Sequence, residues 1–256
     1  MKSIVNWKLF RLLLVAGMFG FIAVLPYTLT IQEETLKELP ISLPLALLLS
    51  FIQTSILLSV VIFIGLYLRK RVGFELPILS DWIAVRPVKE RLKPLVIHSI
   101  KFGVLAGTLI LVFDYVFTFL INPLESFENI PWQAFLASFY GGIVEEILTR
   151  LFLVTLIVWV AEKIVKSKTE KSKTINIWIG IIGAAIIFGL GHLPATALIT
   201  TITPSLVARA IVLNGIGGII FGWLYWKKGL FSAMVAHFTT DITILILFPF
   251  LISLFS

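Results

Sequence analysis

The stretch FYGGIVEEILTRLF, from Phe139 to Phe152, places two adjacent glutamates inside an apolar, helix-forming run. A carboxylate is far more costly in hydrocarbon than in water, so each glutamate needs a partner there. Glu146 and Arg150 are spaced i,i+4 and share a helix face, which predicts a buried ion pair. Glu145 is rotated by about 100° from Glu146 on a helix of about 3.6 residues per turn, so it cannot use Arg150 equally well. The spacing makes Glu145 the candidate for chemistry.

The chain around this stretch is strongly apolar. Of its 256 residues, 59% are hydrophobic and 14% are charged, and the mean hydropathy is +1.04. Soluble domains are about half apolar and about a quarter charged, so the composition indicates a multi-pass membrane protein. The net charge of +7 fits basic cytoplasmic loops better than nucleic-acid binding. The sequence contains no cysteine, which excludes disulfides, thiolate zinc sites and cysteine nucleophiles.

Seven apolar runs are long enough for a membrane-spanning helix, which needs roughly 20 residues. They cover residues 12–30, 42–68, 95–121, 132–161, 175–192, 205–226 and 230–254. Lys and Arg concentrate in alternate connections (69–94, 162–174 and 226–229), and the others (32–40, 122–131 and 193–204) are net acidic or lack basic residues. The positive-inside rule then predicts an all-α, polytopic transmembrane bundle in the cell membrane, with a cytoplasmic amino terminus. An eighth, short element after residue 192 stays open.

Further polar residues lie inside the later spans. His192 closes the fifth run in FGLGH (188–192), and His237 and Asp241 lie i,i+4 on one helix face in HFTTD (237–241). At about 1.5 Å per residue, Glu145 and His192 both lie about 25 Å from the cytoplasmic ends of their spans, hence at one depth. His237 lies nearer the cytoplasmic end of its own span, which predicts a site that opens to the cytoplasm.

Carboxylates and histidines at one depth suit two kinds of hydrolysis. A carboxylate beside a neutral histidine can deprotonate a water molecule, and a second histidine can face the oxyanion that forms on attack at a carbonyl. The same set, Glu145, His192, His237 and Asp241, could instead bind zinc. A Gly-x-Ser-x-Gly elbow and a His-Glu-x-x-His zinc signature are both absent from the sequence. We therefore favour hydrolysis by activated water without a cofactor, and zinc is the alternative.

A different class of function uses the same residue types. In an ion-coupled transporter, buried acids and histidines relay charge across the membrane. Such transporters usually contain paired halves with interrupted helices, and the two halves of this sequence do not match. The sequence therefore favours an enzyme over a transporter.

The three motifs together resemble those of one family. EEILTR (145–150) resembles an EExxxR motif, FGLGH (188–192) an FxxxH motif and HFTTD (237–241) an Hxxx(N/D) motif. The family that these three motifs resemble is the CAAX-protease and bacteriocin-processing family of intramembrane endopeptidases, which includes the type II CAAX prenyl endopeptidases. The similarity covers roughly residues 130–250. It implies a catalytic core with a membrane-embedded polar cavity in residues 126–256, and residues 1–125 add three spans to the same membrane domain.

The resemblance also implies roles and partners. Glu145 and His192 would activate water, His237 and Asp241 would form the oxyanion side, and the Glu146–Arg150 pair would support them. The substrate would be a membrane-anchored peptide, including prenylated CAAX-type chains, with lipids as neighbours. A non-catalytic membrane partner built on the same scaffold is a further alternative, against which the intact motifs argue.

One motif position departs from the pattern of the prenyl proteases. Asn is typical at the last position, where this sequence has Asp241. An ionised aspartate cannot donate a hydrogen bond to an oxyanion. Three roles for Asp241 therefore stay open: a protonated donor, an orienting partner of His237 and a metal ligand.

Overall fold

The computed structural model describes residues 5–38, 40–120, 130–165, 169–198 and 200–254. Within these ranges the chain is mostly helical and contains no β-strand. Most of the predicted connection 122–131, and parts of the connections at 39, 166–168 and 199, lie outside the described residues. The first five helices are α1 (Trp7–Ile31), α2 (Glu33–Lys37), α3 (Leu43–Arg69), α4 (Pro77–Ile83) and α5 (Lys89–Phe117). A long helical stretch follows, made of α6 (Pro131–Phe139), the π-helices π1 (Tyr140–Glu145) and π2 (Ile147–Val154), and α7 (Thr155–Val165). The last elements are α8 (Glu170–Gly191), α9 (Leu193–Ala197), α10 (Pro204–Lys228), α11 (Leu230–Ile242), π3 (Thr243–Leu247) and α12 (Phe248–Ser253).

Six helical stretches of the described residues are long and apolar enough to cross a membrane. They are Trp7–Ile31, Leu43–Arg69, Lys89–Phe117, Glu170–Ala197, Pro204–Lys228 and Leu230–Ser253. They correspond to six of the seven predicted spans, with boundaries that differ by a few residues. The protein is therefore a multi-pass, all-α membrane bundle, as the composition predicts.

The fourth predicted span, 132–161, differs from the other six. It is helical from Pro131 to Val165, but two π-helical segments replace its central α-helical turns. A π-helix bonds each residue to the fifth one along, and π-helical turns inside α-helices are frequent at functional sites. The short element left open after residue 192 is α9, and five residues are too few to span a bilayer.

Local sequence determines where the later helices begin and end. The Thr203 hydroxyl accepts a hydrogen bond from the backbone N–H of Leu206 (3.3 Å) and caps the start of α10. Gly229 has φ +91°, a conformation that favours glycine, and it connects α10 directly to α11. This tight connection holds α11 against α10, so the residues of HFTTD are carried by a fixed hairpin.

Small residues allow the helices around the π-helical stretch to approach closely. A Cβ atom at Gly65 of α3 would lie 2.6 Å from the backbone oxygen of Leu151 in π2. Gly218 of α10 approaches Ala185 of α8 in the same way, since an added Cβ would lie 2.6 Å from the alanine Cβ. Such contacts are a principal source of packing energy between helices in lipid.

We expect Gly65→Ala to lower the melting temperature of the purified protein in detergent. The added methyl group meets a backbone oxygen that cannot move alone, and overpacking of this kind typically costs about 1–3 kcal/mol. The control is Gly215→Ala, because a Cβ at Gly215 would have no atom within 4 Å. Equal melting temperatures for the two variants would show that α3 and π2 are not packed as described.

Candidate active site

The two glutamates of EEILTR lie at the junction of the π-helices. Glu145 ends π1, and Glu146 connects it to π2, which carries Arg150. The helix that carries HFTTD, α11, packs against this junction at Gly141. An added Cβ at Gly141 would clash with the carboxylate of Asp241 and lie 3.2 Å from Nε2 of His237. The absence of a side chain at Gly141 therefore lets α11 bring its two polar residues up to the glutamates.

The predicted ion pair between Glu146 and Arg150 is present and fully buried. Nη1 of Arg150 lies 3.0 Å from Oε1 of Glu146, with the two side chains 1% and 0% exposed. The guanidinium also donates to the hydroxyl of Thr149 and to the carbonyl of Gly217 (3.4 Å). Because hydrogen bonds and an opposite charge surround it, this cation is tolerated inside the bundle.

The same carboxylate oxygen holds His237, a contact that the sequence analysis missed. Nδ1 of His237 lies 2.7 Å from Oε1 of Glu146. An ionised carboxylate only accepts hydrogen bonds, so Nδ1 carries the hydrogen and donates it. The imidazole also stacks on the ring of Phe221, with centroids 4.7 Å apart and an interplanar angle of 24°. The hydrogen bond and the stacked ring together fix the orientation of His237.

Nε2 of His237 faces the two remaining acids of the predicted set. It lies 3.6 Å from Oε2 of Glu145 and 3.7 Å from Oδ1 of Asp241. The side chains of these acids are 21% and 22% exposed, in contrast to the fully buried Glu146. Three of the four predicted catalytic residues therefore converge around one ring nitrogen.

His192 approaches the same region from α8. Its Nδ1 lies 2.8 Å from the carbonyl oxygen of Phe188, which can only accept, so Nδ1 donates and leaves Nε2 free as an acceptor in the neutral ring. Among the described residues, His192 makes no hydrogen bond to Glu145. The two side chains instead line the same cavity.

This cavity has a volume of about 920 Å³ and contributions from α1, α2, α3, the π-helices, α8 and α9. Its polar lining includes Tyr140, Glu145, Thr149 and His192. His237 and Asp241 are not among the lining residues, and on the side of α11 Nε2 of His237 lies between Glu145 (3.6 Å) and Asp241 (3.7 Å). Glu145 therefore lines the cavity and also faces His237 of α11.

The predicted opening toward the basic connections is wrong for this cavity. Its lining extends to Gln32, Leu36 and Ile41 between α1 and α3, and to Ala195 in α9. These residues lie at the end of the bundle away from the basic connections, because consecutive spans alternate in direction. The position of His237 along its helix misled the prediction because α11 does not begin at the surface of the bundle. The start of α4 covers it, since a Cβ at Gly229 would lie 2.8 Å from Cδ of Pro77.

The zinc alternative needs several of these side chains around one point. In the ranges that the structure describes, no group of three or more His, Asp or Glu side chains could hold a metal ion. The predicted zinc set is divided, since Glu145 and His192 line the cavity while His237 and Asp241 do not. The zinc alternative to a metal-free site stays a prediction.

Comparison with known proteins gives one match. Residues 127–243 match the family model described as Type II CAAX prenyl endopeptidase Rce1-like. This segment contains all three motifs, so the resemblance noted in the sequence is confirmed over it, and the match implies a membrane protease. No curated protein and no solved structure matches the chain at a significant level.

We expect Glu146→Gln to destabilise the protein strongly. The change leaves Arg150 without its opposite charge inside the bundle, and breaking a buried ion pair in this way costs about 3–5 kcal/mol. Glu145→Gln is the matched control, because the side chain of Glu145 is 21% exposed and lies 3.6 Å from Nε2 of His237. Thermal unfolding of both variants in one detergent measures the difference, and an equally large loss in Glu145→Gln would contradict this division of roles.

Proposed function

From the family match over residues 127–243, we propose that this protein is a glutamate-type intramembrane endopeptidase. It hydrolyses peptide bonds of membrane-associated substrates, including CAAX-type prenylated chains, with water activated by Glu145 and His192. The observation that supports this most directly is the shared cavity, in which both side chains have a free acceptor atom. Residues 126–256 form the catalytic core in this proposal, and residues 1–125 complete the membrane domain.

The proposed reaction begins with a water molecule between Glu145 and Nε2 of His192. Glu145 takes a proton from the water, and the oxygen attacks the carbonyl carbon of the scissile peptide bond. The tetrahedral intermediate then collapses, the C–N bond breaks, and Glu145 returns the proton to the leaving amine. The products are a carboxylic acid and an amine, and Glu145 regains its initial state.

The oxyanion side of the proposed mechanism is His237. Nδ1 is bonded to Glu146, so the ring in its protonated form presents an Nε2–H donor near Glu145. Asp241, 3.7 Å from the same nitrogen, would stabilise the positive ring and orient it. In this mechanism Asp241 acts on the oxyanion only through His237, so its ionised carboxylate does not need to donate a hydrogen bond.

The central test is peptide hydrolysis by purified wild-type protein and by Glu145→Gln. We expect the variant to lose activity by about 10²–10⁴-fold, because the amide cannot take the proton from water. Glu170→Gln is the control for a glutamate removed elsewhere, since its side chain is 89% exposed. Cleavage at the wild-type rate by Glu145→Gln would refute the proposed base.

Asp241→Asn distinguishes the metal-free mechanism from a zinc-dependent one. We expect the variant to stay within roughly tenfold of the wild-type rate, because the amide keeps an acceptor oxygen for His237. We also expect a chelator to leave wild-type activity unchanged. An inactive Asn variant, together with a chelator-sensitive wild type that contains stoichiometric metal, would establish the zinc alternative instead.

We propose a cytoplasmic amino terminus in the cell membrane, which places the mouth of the cavity on the opposite face. The support is the Lys and Arg content of the connections 69–94, 162–174 and 226–229. Single cysteines test this cleanly in a chain without cysteine. Val85→Cys, at a residue that is 92% exposed, should react with an impermeant maleimide only in inside-out vesicles. Ala195→Cys, at the cavity mouth, should react only in right-side-out vesicles, and the reverse pattern would invert the topology.

A further inference from the structure

Five polar side chains lie on the wall of the cavity that α1 and α3 provide. They are Thr28 on α1, Gln32 directly after the end of α1, and Ser50, Gln53 and Thr54 on α3, here called the polar strip. The three residues on α3 are spaced i, i+3 and i+4, so they share one helix face. The strip lies within a lining that is otherwise largely apolar and includes leucines such as Leu25, Leu47 and Leu57.

The side chains of the polar strip are without partners in the part of the chain that the structure describes, where none of the five donates or accepts a hydrogen bond. An amide or hydroxyl without a partner in hydrocarbon costs several kcal/mol. Gln53 lies about 15 Å along α3 from its first residue, well inside the span at about 1.5 Å per residue. Such a group is tolerated at this depth if the cavity supplies its partner.

Contacts between α1 and α3 give the depth of the strip. The two helices run antiparallel, with the hydroxyl of Ser55 3.4 Å from the sulfur of Met18 and the rings of Phe51 and Phe21 6.4 Å apart. These pairs place Gln53 at the level of the two α1 residues between them, Phe19 and Gly20.

Gly20 in turn packs against the helix that carries the proposed base. A Cβ at Gly20 would lie 2.9 Å from Cγ2 of Val144, the residue before Glu145. Gln53 therefore lies at about the depth of Glu145. Gln32 lies at the other end of the strip, at the mouth of the cavity, and the strip leads from the mouth to the level of the base.

The length of the strip matches a short extended peptide. From Gln32 to the level of Gly20 is about 18 Å along α1, at about 1.5 Å per residue. An extended chain rises about 3.3 Å per residue, so about five residues of peptide cover this distance. Each peptide unit presents one N–H and one C=O group, and glutamine amides can pair with both.

We propose that the polar strip binds the backbone of an extended segment of about five residues and leads it from the cavity mouth to Glu145. The inference rests on the proposed function, and it assigns substrate binding to helices outside the family match at 127–243. Because the strip pairs with main-chain groups, it tolerates different substrate side chains at these positions.

The test measures binding separately from cleavage, in the inactive Glu145→Gln background. The probe is a fluorescent peptide that ends in a farnesylated cysteine followed by Val-Ile-Ser. Adding Gln53→Leu should raise the Kd of this probe roughly tenfold, the scale of one or two lost hydrogen bonds. Ser59→Ala is the matched control, because Ser59 lies on the same helix, bonds to the carbonyl of Ser55 and does not line the cavity.

A second probe carries N-methyl groups on the five residues before the cysteine. Its Kd for Glu145→Gln should be about the Kd of the unmodified probe for the double variant Glu145→Gln/Gln53→Leu. Adding Gln53→Leu should then raise the Kd of the N-methylated probe little further. In the active protein, Gln53→Leu should raise KM with little change in kcat, the sign of lost uniform binding. The melting temperature of Gln53→Leu should not fall, since no internal hydrogen bond is removed.

Three results would overturn the inference. They are no binding of the probe to Glu145→Gln, an unchanged Kd in the double variant, or a rise in Kd on adding Gln53→Leu that is equally large for the N-methylated and the unmodified probe. Failure of the proposed function is recognised separately. If wild-type protein binds the probe but does not cleave it, and Gln53→Leu still weakens binding, the strip is a peptide-binding site in a protein that is not an endopeptidase.

Discussion

The arrangement of the site depends on one buried carboxylate oxygen, Oε1 of Glu146. It forms an ion pair with Arg150 on its own helical stretch (3.0 Å) and accepts a hydrogen bond from His237 on α11 (2.7 Å). Arg150 extends the connection further, because its guanidinium lies 5.3 Å from the ring of Phe188 on α8 and 5.2 Å from that of Phe221 on α10. One buried ion pair thus joins the π-helical stretch to three other helices, and in hydrocarbon none of these groups has water as an alternative partner.

This constraint explains why adjacent glutamates have different environments. Glu146 is completely buried by its partners, so it cannot reach a substrate, whereas Glu145 keeps a side chain that is about one-fifth exposed and lines the cavity. The π-helical turns and Gly141 contribute to this difference, since they let α11 approach on one side while the cavity stays open on the other. The proposed chemistry therefore needs both residues, one to hold His237 and one to meet water.

The amino-terminal helices contribute more than a membrane anchor. They form one wall of the cavity, and α1 and α3 pack against π1 and π2 through glycines at positions 20 and 65. The family match begins only at residue 127, so this wall belongs to the part of the chain in which the sequence shows no motif. Its polar residues are spread over two helices, and a search along the sequence for a compact pattern does not reveal them.

Short-range spacing was enough for the sequence to determine the membrane class, six of the spans, the Glu146–Arg150 pair and the i,i+4 placement of His237 and Asp241. Each of these follows from hydropathy or from the helical period, which act within one element. The contact between His237 and Glu146, the stacking of Phe221 and the end of the bundle at which the cavity opens depend on how separate helices pack. The π-helical turns also escaped prediction, because the apolar pattern of 132–161 fits an α-helix equally well. Tertiary structure decided these features because close approach at Gly141, Gly229 and the other small residues is a property of pairs of helices.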